Sequence, residues 1–224
     1  MNYERERRQL EQQVTIDSLT GLGNKQHFHT RLKQDLAFCE RHGHPISLVR
    51  FDVDGFNQLF IKAGKDAADE VLRQVGRIIA QIVRKEDTAA RTGLARFVVS
   101  LPTAQEEGAS ILANRIIKTV RQTEISWQGK RLPVTLSAGV LQPDPHPGQT
   151  PRSVLEELNL VIEHAHNAGG DQVINASDRE TSQRLPSKPE PPAESEFPRP
   201  PEPSVDEALE MLADGREQEV RPHL

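Results

Sequence analysis

The run ISLVRFDVD, residues 46–54, followed shortly by AADEVLRQVGRIIAQIVRK, residues 67–85, limits the fold of this chain more than any other feature. The first is a near-continuous apolar stretch that reads as a strand covered on both faces. The second repeats apolar residues at Val71, Leu72, Val75, Ile78, Ile79 and Ile82, the stripe of an amphipathic helix that packs on such a strand. The alternation continues along the chain. LKQDLAFCERHG is amphipathic and stops at Gly43. In RTGLARFVVSLP, residues 91–102, one strand ends at Arg91 and another starts near Arg96, with Thr92-Gly93-Leu94-Ala95 as the tip of a hairpin. A helix over EEGASILANRIIKTVRQ is followed by a second hairpin in EISWQGKRLPVTLSAGV, turning at Gln128-Gly129. A last helix, SVLEELNLVIEHAHNAGG, has Ser153 as its N-cap candidate and ends at a glycine pair, and DQVIN closes the unit as a strand. The expected fold is α+β, a largely antiparallel sheet covered by helices.

The ends differ from this core. Residues 1–14 form a charged helical lead-in with sparse apolar positions at Tyr3, Leu10 and Val14, the core domain spans 15–176, and 177–203 is a linker. LPSKPEPPAESEFPRPPEPS carries eight of the sixteen prolines, so an extended, solvated chain is expected there. Residues 204–224 open with Ser204 and Glu207 in capping-box spacing and place Val205, Ala208, Leu209 and Leu212 on one face. A helix over 204–214 is either a frayed tail or a docking peptide for a protein partner, a role the N-terminal helix could share. The net charge of −5 leaves no basic excess for nucleic acid. Cys39 is the one cysteine, so no internal disulfide forms, and it reads as a small apolar packing residue. The charged start is unlike a secretory signal and no stretch is long enough to span a bilayer, so the expectation is a soluble, cytoplasmic protein.

DSLTGLGNKQHF at 17–28 and FDVDGF at 51–56 carry a family resemblance, continued in order by RTGLARFVVSLP, TLSAG at 135–139 and HAHNAGGDQV. Together they resemble the GGDEF domain of bacterial diguanylate cyclases over about residues 15–175. The resemblance implies a nucleotidyl-cyclase-like, ferredoxin-like palm, two of which meet as a homodimer to join two GTP molecules into cyclic di-GMP with two metal ions held by carboxylates. Asp52 matches the first metal-binding aspartate. Gly93-Leu94-Ala95-Arg96-Phe97 stands where the family has GG(D/E)EF. Ala95 offers no oxygen, Arg96 places a cation where an acid is expected, and Leu94 replaces a glycine able to take φ > 0, at a cost of about 1 kcal/mol for a left-handed leucine. The base-reading positions fall on Phe60 and Ile61, the triphosphate lysine on His166 and the arginine after it on Gly170. Asp52 is thus expected as a vestigial metal ligand or, with Asp54, as a turn or capping group. The expectation is a degenerate domain that is not an enzyme and takes no cofactor or Mg²⁺.

Upstream, Arg84-Lys85-Glu86-Asp87 matches the R-x-x-D of the family's product-binding site in its distance from the signature, and Arg115 falls where a second arginine completes it. An arginine fork suits the O6 and N7 edge of guanine and a carboxylate its N1 and N2 donors, although R-x-x-D alone is equally a solvated helix end. Three functions follow as expectations. The first is a catalytically inactive cyclic di-GMP receptor or regulatory module acting through Arg84, Asp87 and Arg115. The second is a nucleotide-independent scaffold for protein partners, and the third, the least favoured, an active diguanylate cyclase.

Overall fold

The computed structural model describes residues 15–144, 146 and 148–178. The lead-in, the linker expected over 177–203 apart from Ser177 and Asp178, and the 204–214 helix expected from the sequence lie outside these residues. Among the described residues eight strands and five helices alternate: β1 Gly23–Asn24, α1 Lys25–His42, β2 Ile46–Val53, α2 Phe56–Ala63, α3 Lys65–Ile82, β3 Thr88–Arg91 and β4 Arg96–Pro102. Then come α4 Glu106–Gln122, β5 Ser126–Trp127, β6 Lys130–Arg131, β7 Leu136–Leu141, α5 Pro151–Asn167 and β8 Val173–Asn175. Six strands form one sheet in the order β1-β3-β4-β2-β7-β8. The pairings β3–β4, β4–β2 and β2–β7 are antiparallel, and only the outer pairs, β1–β3 and β7–β8, are parallel.

The expected α+β architecture is therefore the observed one, and alternation along β2 explains its layers. Val49, Phe51 and Val53 face a core completed by α3 and α4, through Val71, Val75 and Ile79 on one helix and Ala113, Ile116 and Val120 on the other. Ile46 and Leu48 face the opposite core, made with Phe28, Leu32 and Cys39 of α1 and Leu158 of α5. Both faces being covered, the strand is apolar almost throughout. Cys39 is buried among these residues, the packing role expected of it. Gly43 ends α1 in a left-handed conformation, with its N–H bonded to the Cys39 carbonyl. Gly139 has a packing reason: a Cβ there would lie 2.9 Å from the backbone nitrogen of Ile162, so glycine lets α5 approach β7.

Three local readings change. The N-cap of α5 is Thr150, not Ser153: Pro151 occupies the first turn, and Thr150 and Ser153 cap each other reciprocally. The second hairpin is confined to β5 and β6, while Leu136–Leu141 leaves it to pair with β2 at the centre of the large sheet. The short helix α2 was not expected; it begins after Gly55 with no side-chain cap and runs up to Gly64, which separates it from α3. Among the described residues no helix is long and apolar enough to cross a membrane.

Candidate functional site

Antiparallel pairing sets Asp52 of β2 directly opposite Arg96 of β4, so the strand-end aspartate and the hairpin tip border one cavity of about 640 Å³. Arg91 holds the tip: its Nε and Nη2 donate to the Leu94 carbonyl at 3.2 and 2.7 Å, and its Nη1 reaches the Asp17 carboxylate at 3.3 and 3.4 Å. Asp17 in turn accepts from the Thr20 amide and hydroxyl, so the D-S-L-T segment braces the tip from outside. Leu94 is 65 % exposed and escapes the strain expected of it, because among the described residues the non-glycine positions with positive φ are Thr103, Gln128 and Asp171.

The carboxylates of this cavity are committed to neighbours. Arg50, buried in β2, donates from Nε and Nη2 to the two oxygens of Asp52 at 2.9 and 2.5 Å, and its Nη1 bonds the Asn159 side chain of α5. Arg96 and His166 approach the same carboxylate, each at 3.8 Å. Burial, with the like charge of Arg50 behind it, pushes the Arg96 guanidinium below its ordinary value, and Asp52 opposes the shift. Asp54 accepts from Thr135 Oγ1 at 2.8 Å, Ser137 Oγ at 2.6 Å and the Asp171 amide at 3.0 Å, which ties β2 to β7 and the loop after α5. Gly170 at φ +77° lies against it, where a Cβ would sit 3.2 Å from Asp54 Oδ1.

This donor set does not fit the two-metal arrangement that the resemblance implies. Asp52 is paired on both oxygens, Ala95 brings no side-chain oxygen and its carbonyl accepts the Val53 amide, and among the described residues no three His, Cys, Asp or Glu side chains converge as ligands. Of the other positions singled out in the sequence, Gly93, Leu94, Ala95, Arg96, His166 and Gly170 line the cavity. Phe97 is buried in the core beneath it, whereas Phe60 and Ile61 lie outside its lining, 46 % and 80 % exposed.

A second cavity, of about 290 Å³, lies between the loop after α3, the end of β4 and one side of α4. Here the fold brings together Arg84, Asp87 and Arg115, with Glu86 beside them. The Asp87 side chain folds back to accept the Arg84 amide at 3.1 Å. Among the described residues neither arginine is held in an ion pair, so both are available at the cavity. Burial raises the Asp87 carboxyl above the usual aspartate value, with Glu86 and Asp35 adding like charge, while the Arg84 amide and guanidinium oppose the shift.

The sequence reading missed Arg50 and the Asp17–Arg91 brace. An arginine inside the apolar run ISLVRFDVD was the available signal, since a cation there requires a buried partner. The brace joins residues far apart in the chain and left no local signal.

The family model described as "Diguanylate cyclase, GGDEF domain" matches residues 14–172. Diguanylate cyclase A of Treponema denticola is 32 % identical over 176 residues, covering 77 % of this chain and 45 % of that protein. Cyclic di-GMP phosphodiesterase NbdA of Pseudomonas aeruginosa is 29 % identical over 160 residues, 71 % of this chain and 20 % of that protein. This chain thus spans less than half the length of these curated relatives. Among solved structures, diguanylate cyclase SiaD of P. aeruginosa in complex with its activator SiaC is similar at a TM-score of 0.70 and 27 % identity, over 78 % of this chain and 68 % of that one. The coiled coil and GGDEF domain of DgcB from Caulobacter crescentus in complex with c-di-GMP matches at a TM-score of 0.69 and 26 % identity, over 78 % and 94 % of the two chains. These names overturn the expectation of a non-enzyme: the family model and relatives such as Diguanylate cyclase A, matched across this domain, carry the name of an enzyme.

Proposed function

Since the chain belongs to the GGDEF domain family of diguanylate cyclases, we propose that it serves cyclic di-GMP signalling and binds cyclic di-GMP at the cavity of Arg84, Asp87 and Arg115. One observation carries this reading: three residues from two separate segments, at the positions that the family resemblance implies, line a single cavity. Each has a part that guanine chemistry requires. The guanidinium of Arg84 or Arg115 can donate two parallel hydrogen bonds to O6 and N7, and the Asp87 carboxylate can accept from N1 and N2. Asp87 Oδ2 already accepts the Arg84 amide, which fixes the side chain and leaves Oδ1 for the base. The arginines also offset the two phosphate charges of the ligand. DgcB, a structural neighbour, was crystallised with c-di-GMP, and this adds support of a general kind.

Titration calorimetry of the full chain with cyclic di-GMP tests the proposal. The expected result is saturable binding in which Arg84→Ala loses at least tenfold in affinity. No heat of binding, or equal affinity in Arg84→Ala, would overturn it. The part played by a protein partner is a separate proposal, in which residues 204–214 dock on that partner. Deleting 204–224 should then abolish co-purification of a partner while leaving the calorimetric affinity unchanged.

A further inference from the structure

Three locally unfavourable choices meet at the second cavity. Ile111 is a large apolar side chain left 71 % exposed on α4, away from the core face made by Ala109, Ala113, Ile116 and Val120. Gly108 stands one turn earlier, in the first turn of the helix, where a Cβ would meet nothing within 4 Å. No packing constraint calls for a glycine there, and a glycine weakens a helix. Thr103, the turn residue just after β4, holds φ +64°, a left-handed conformation that costs a β-branched residue energy. Any one of these is ordinary, since single exposed apolar residues are common on protein surfaces. Their convergence on one cavity is not, because departures from local preference are expected to gather where a fold serves a ligand.

Positions 108, 111, 112 and 115 are spaced by three and four residues, so they make one stripe along α4 with Arg115 at its far end. Arg84, Glu86 and Asp87 supply the polar wall of the cavity, and this stripe supplies an apolar one. We propose that Ile111 forms the shelf on which one guanine plane of the ligand lies, with the space left open at Gly108 admitting the ring. This inference rests on the cyclic di-GMP reading and deepens it. The edge of the base is read by Arg84 and Asp87, and its flat face is selected by α4. A ligand without a planar aromatic ring leaves the shelf uncovered and binds weakly, whatever phosphate charge it carries.

The test is calorimetry of the full chain with cyclic di-GMP, comparing Ile111→Ala, Gly108→Leu and Arg84→Ala. Ile111 is outside the core, so its truncation leaves the fold intact. Removing most of its apolar surface should lower affinity about tenfold and shrink the heat-capacity change of binding, with the salt dependence of affinity unchanged. Gly108→Leu should block the ring and abolish binding. Arg84→Ala should weaken binding and flatten its salt dependence. If Ile111→Ala and Gly108→Leu both bind within twofold of the unaltered chain while Arg84→Ala loses affinity, the shelf is wrong and the cavity stands. If the unaltered chain shows no binding, or Arg84→Ala binds as well as it does, the cavity reading falls and the shelf with it.

Discussion

The two cavities of this domain hold the same kinds of side chain in opposite arrangements. At the signature turn, Asp52 is bound on both oxygens by buried Arg50, with Arg96 and His166 close by, so the carboxylate belongs to the fold. At the second cavity, Asp87 is fixed by one backbone amide, and the guanidinium groups of Arg84 and Arg115 stay on the surface. The difference lies in burial. An arginine drawn into a sheet interior must take a carboxylate with it, whereas an exposed arginine beside a cavity remains available to a ligand. Composition alone does not distinguish the two; the location of the cation does.

The largest expected effect breaks the closed pair. Asp52→Ala leaves Arg50 buried without its counter-charge and should cost about 3 kcal/mol of stability in urea unfolding. Replacing both residues by apolar ones of similar volume should cost less, since the desolvated guanidinium is then removed as well. Neither change should move cyclic di-GMP affinity at the second cavity. An Asp52→Ala domain as stable as the original would show that the pair does not hold the sheet to α5. Next in size is Arg115→Ala, which should leave stability unchanged and weaken cyclic di-GMP by ten- to a hundredfold, the scale of a hydrogen bond to a charged group. Destabilisation by Arg115→Ala would place this arginine in the fold and end the contrast between the cavities.

Much of this contrast was legible in the sequence and part was not, for physical reasons. The strand of Ile46–Val53, the helix of Lys65–Ile82 and the stop at Gly43 follow from periodicity and glycine geometry, which are local signals. Arg84, Asp87 and Arg115 stand at positions that the family resemblance singles out, and they line one cavity because the elements between them keep their lengths. Arg50–Asp52 was not found, although the two residues are near neighbours in the chain. Its meaning depends on α5, whose Asn159 caps the guanidinium from 109 residues away. The cap of α5 was misplaced because both Thr150 and Ser153 suit the role locally, and Pro151 in the first turn decides between them. Ile111 and Gly108 carried no signal of their own. Only the surface they share with Arg115 gives them meaning.

A smaller effect appears as pH is varied. The Asp87 carboxyl is raised by burial, and its ionised form offers guanine N1 and N2 a charged, acceptor-only partner, whereas protonation turns one oxygen into a donor and weakens that contact. Affinity for cyclic di-GMP should therefore be full above the raised value and fall as pH drops through it, starting at a higher pH than an ordinary aspartate would give. The charged groups that set this point are Glu86 and Asp35, which raise it, and Arg84, which lowers it. Calorimetry at a series of pH values checks the profile. An Asp87→Asn variant should bind more weakly near neutrality and lose the acid-side decline, and a decline that persists in that variant would assign the proton elsewhere.

The smallest effect reaches the same cavity from the core. Asp35 of α1 is buried, accepts from Ser100 Oγ at 3.1 Å and lies 3.7 Å from Arg31. Burial raises its carboxyl, against the opposing effects of Ser100 and Arg31. A raised folded value means that the native state holds its proton more tightly than the unfolded chain does. Stability is then lost as pH rises from the unfolded value through the folded one. Asp35→Asn keeps an acceptor for Ser100 and removes the charge, so it should stabilise the domain at neutral pH and flatten that part of the pH profile. It also removes one of the like charges acting on Asp87. The acid-side decline of cyclic di-GMP affinity should move to lower pH in Asp35→Asn, with affinity near neutrality unchanged. Thermal unfolding and calorimetry on the same preparation separate the two consequences. A stability gain without a shift in the binding profile would show that the core carboxylate and the cavity are electrostatically independent.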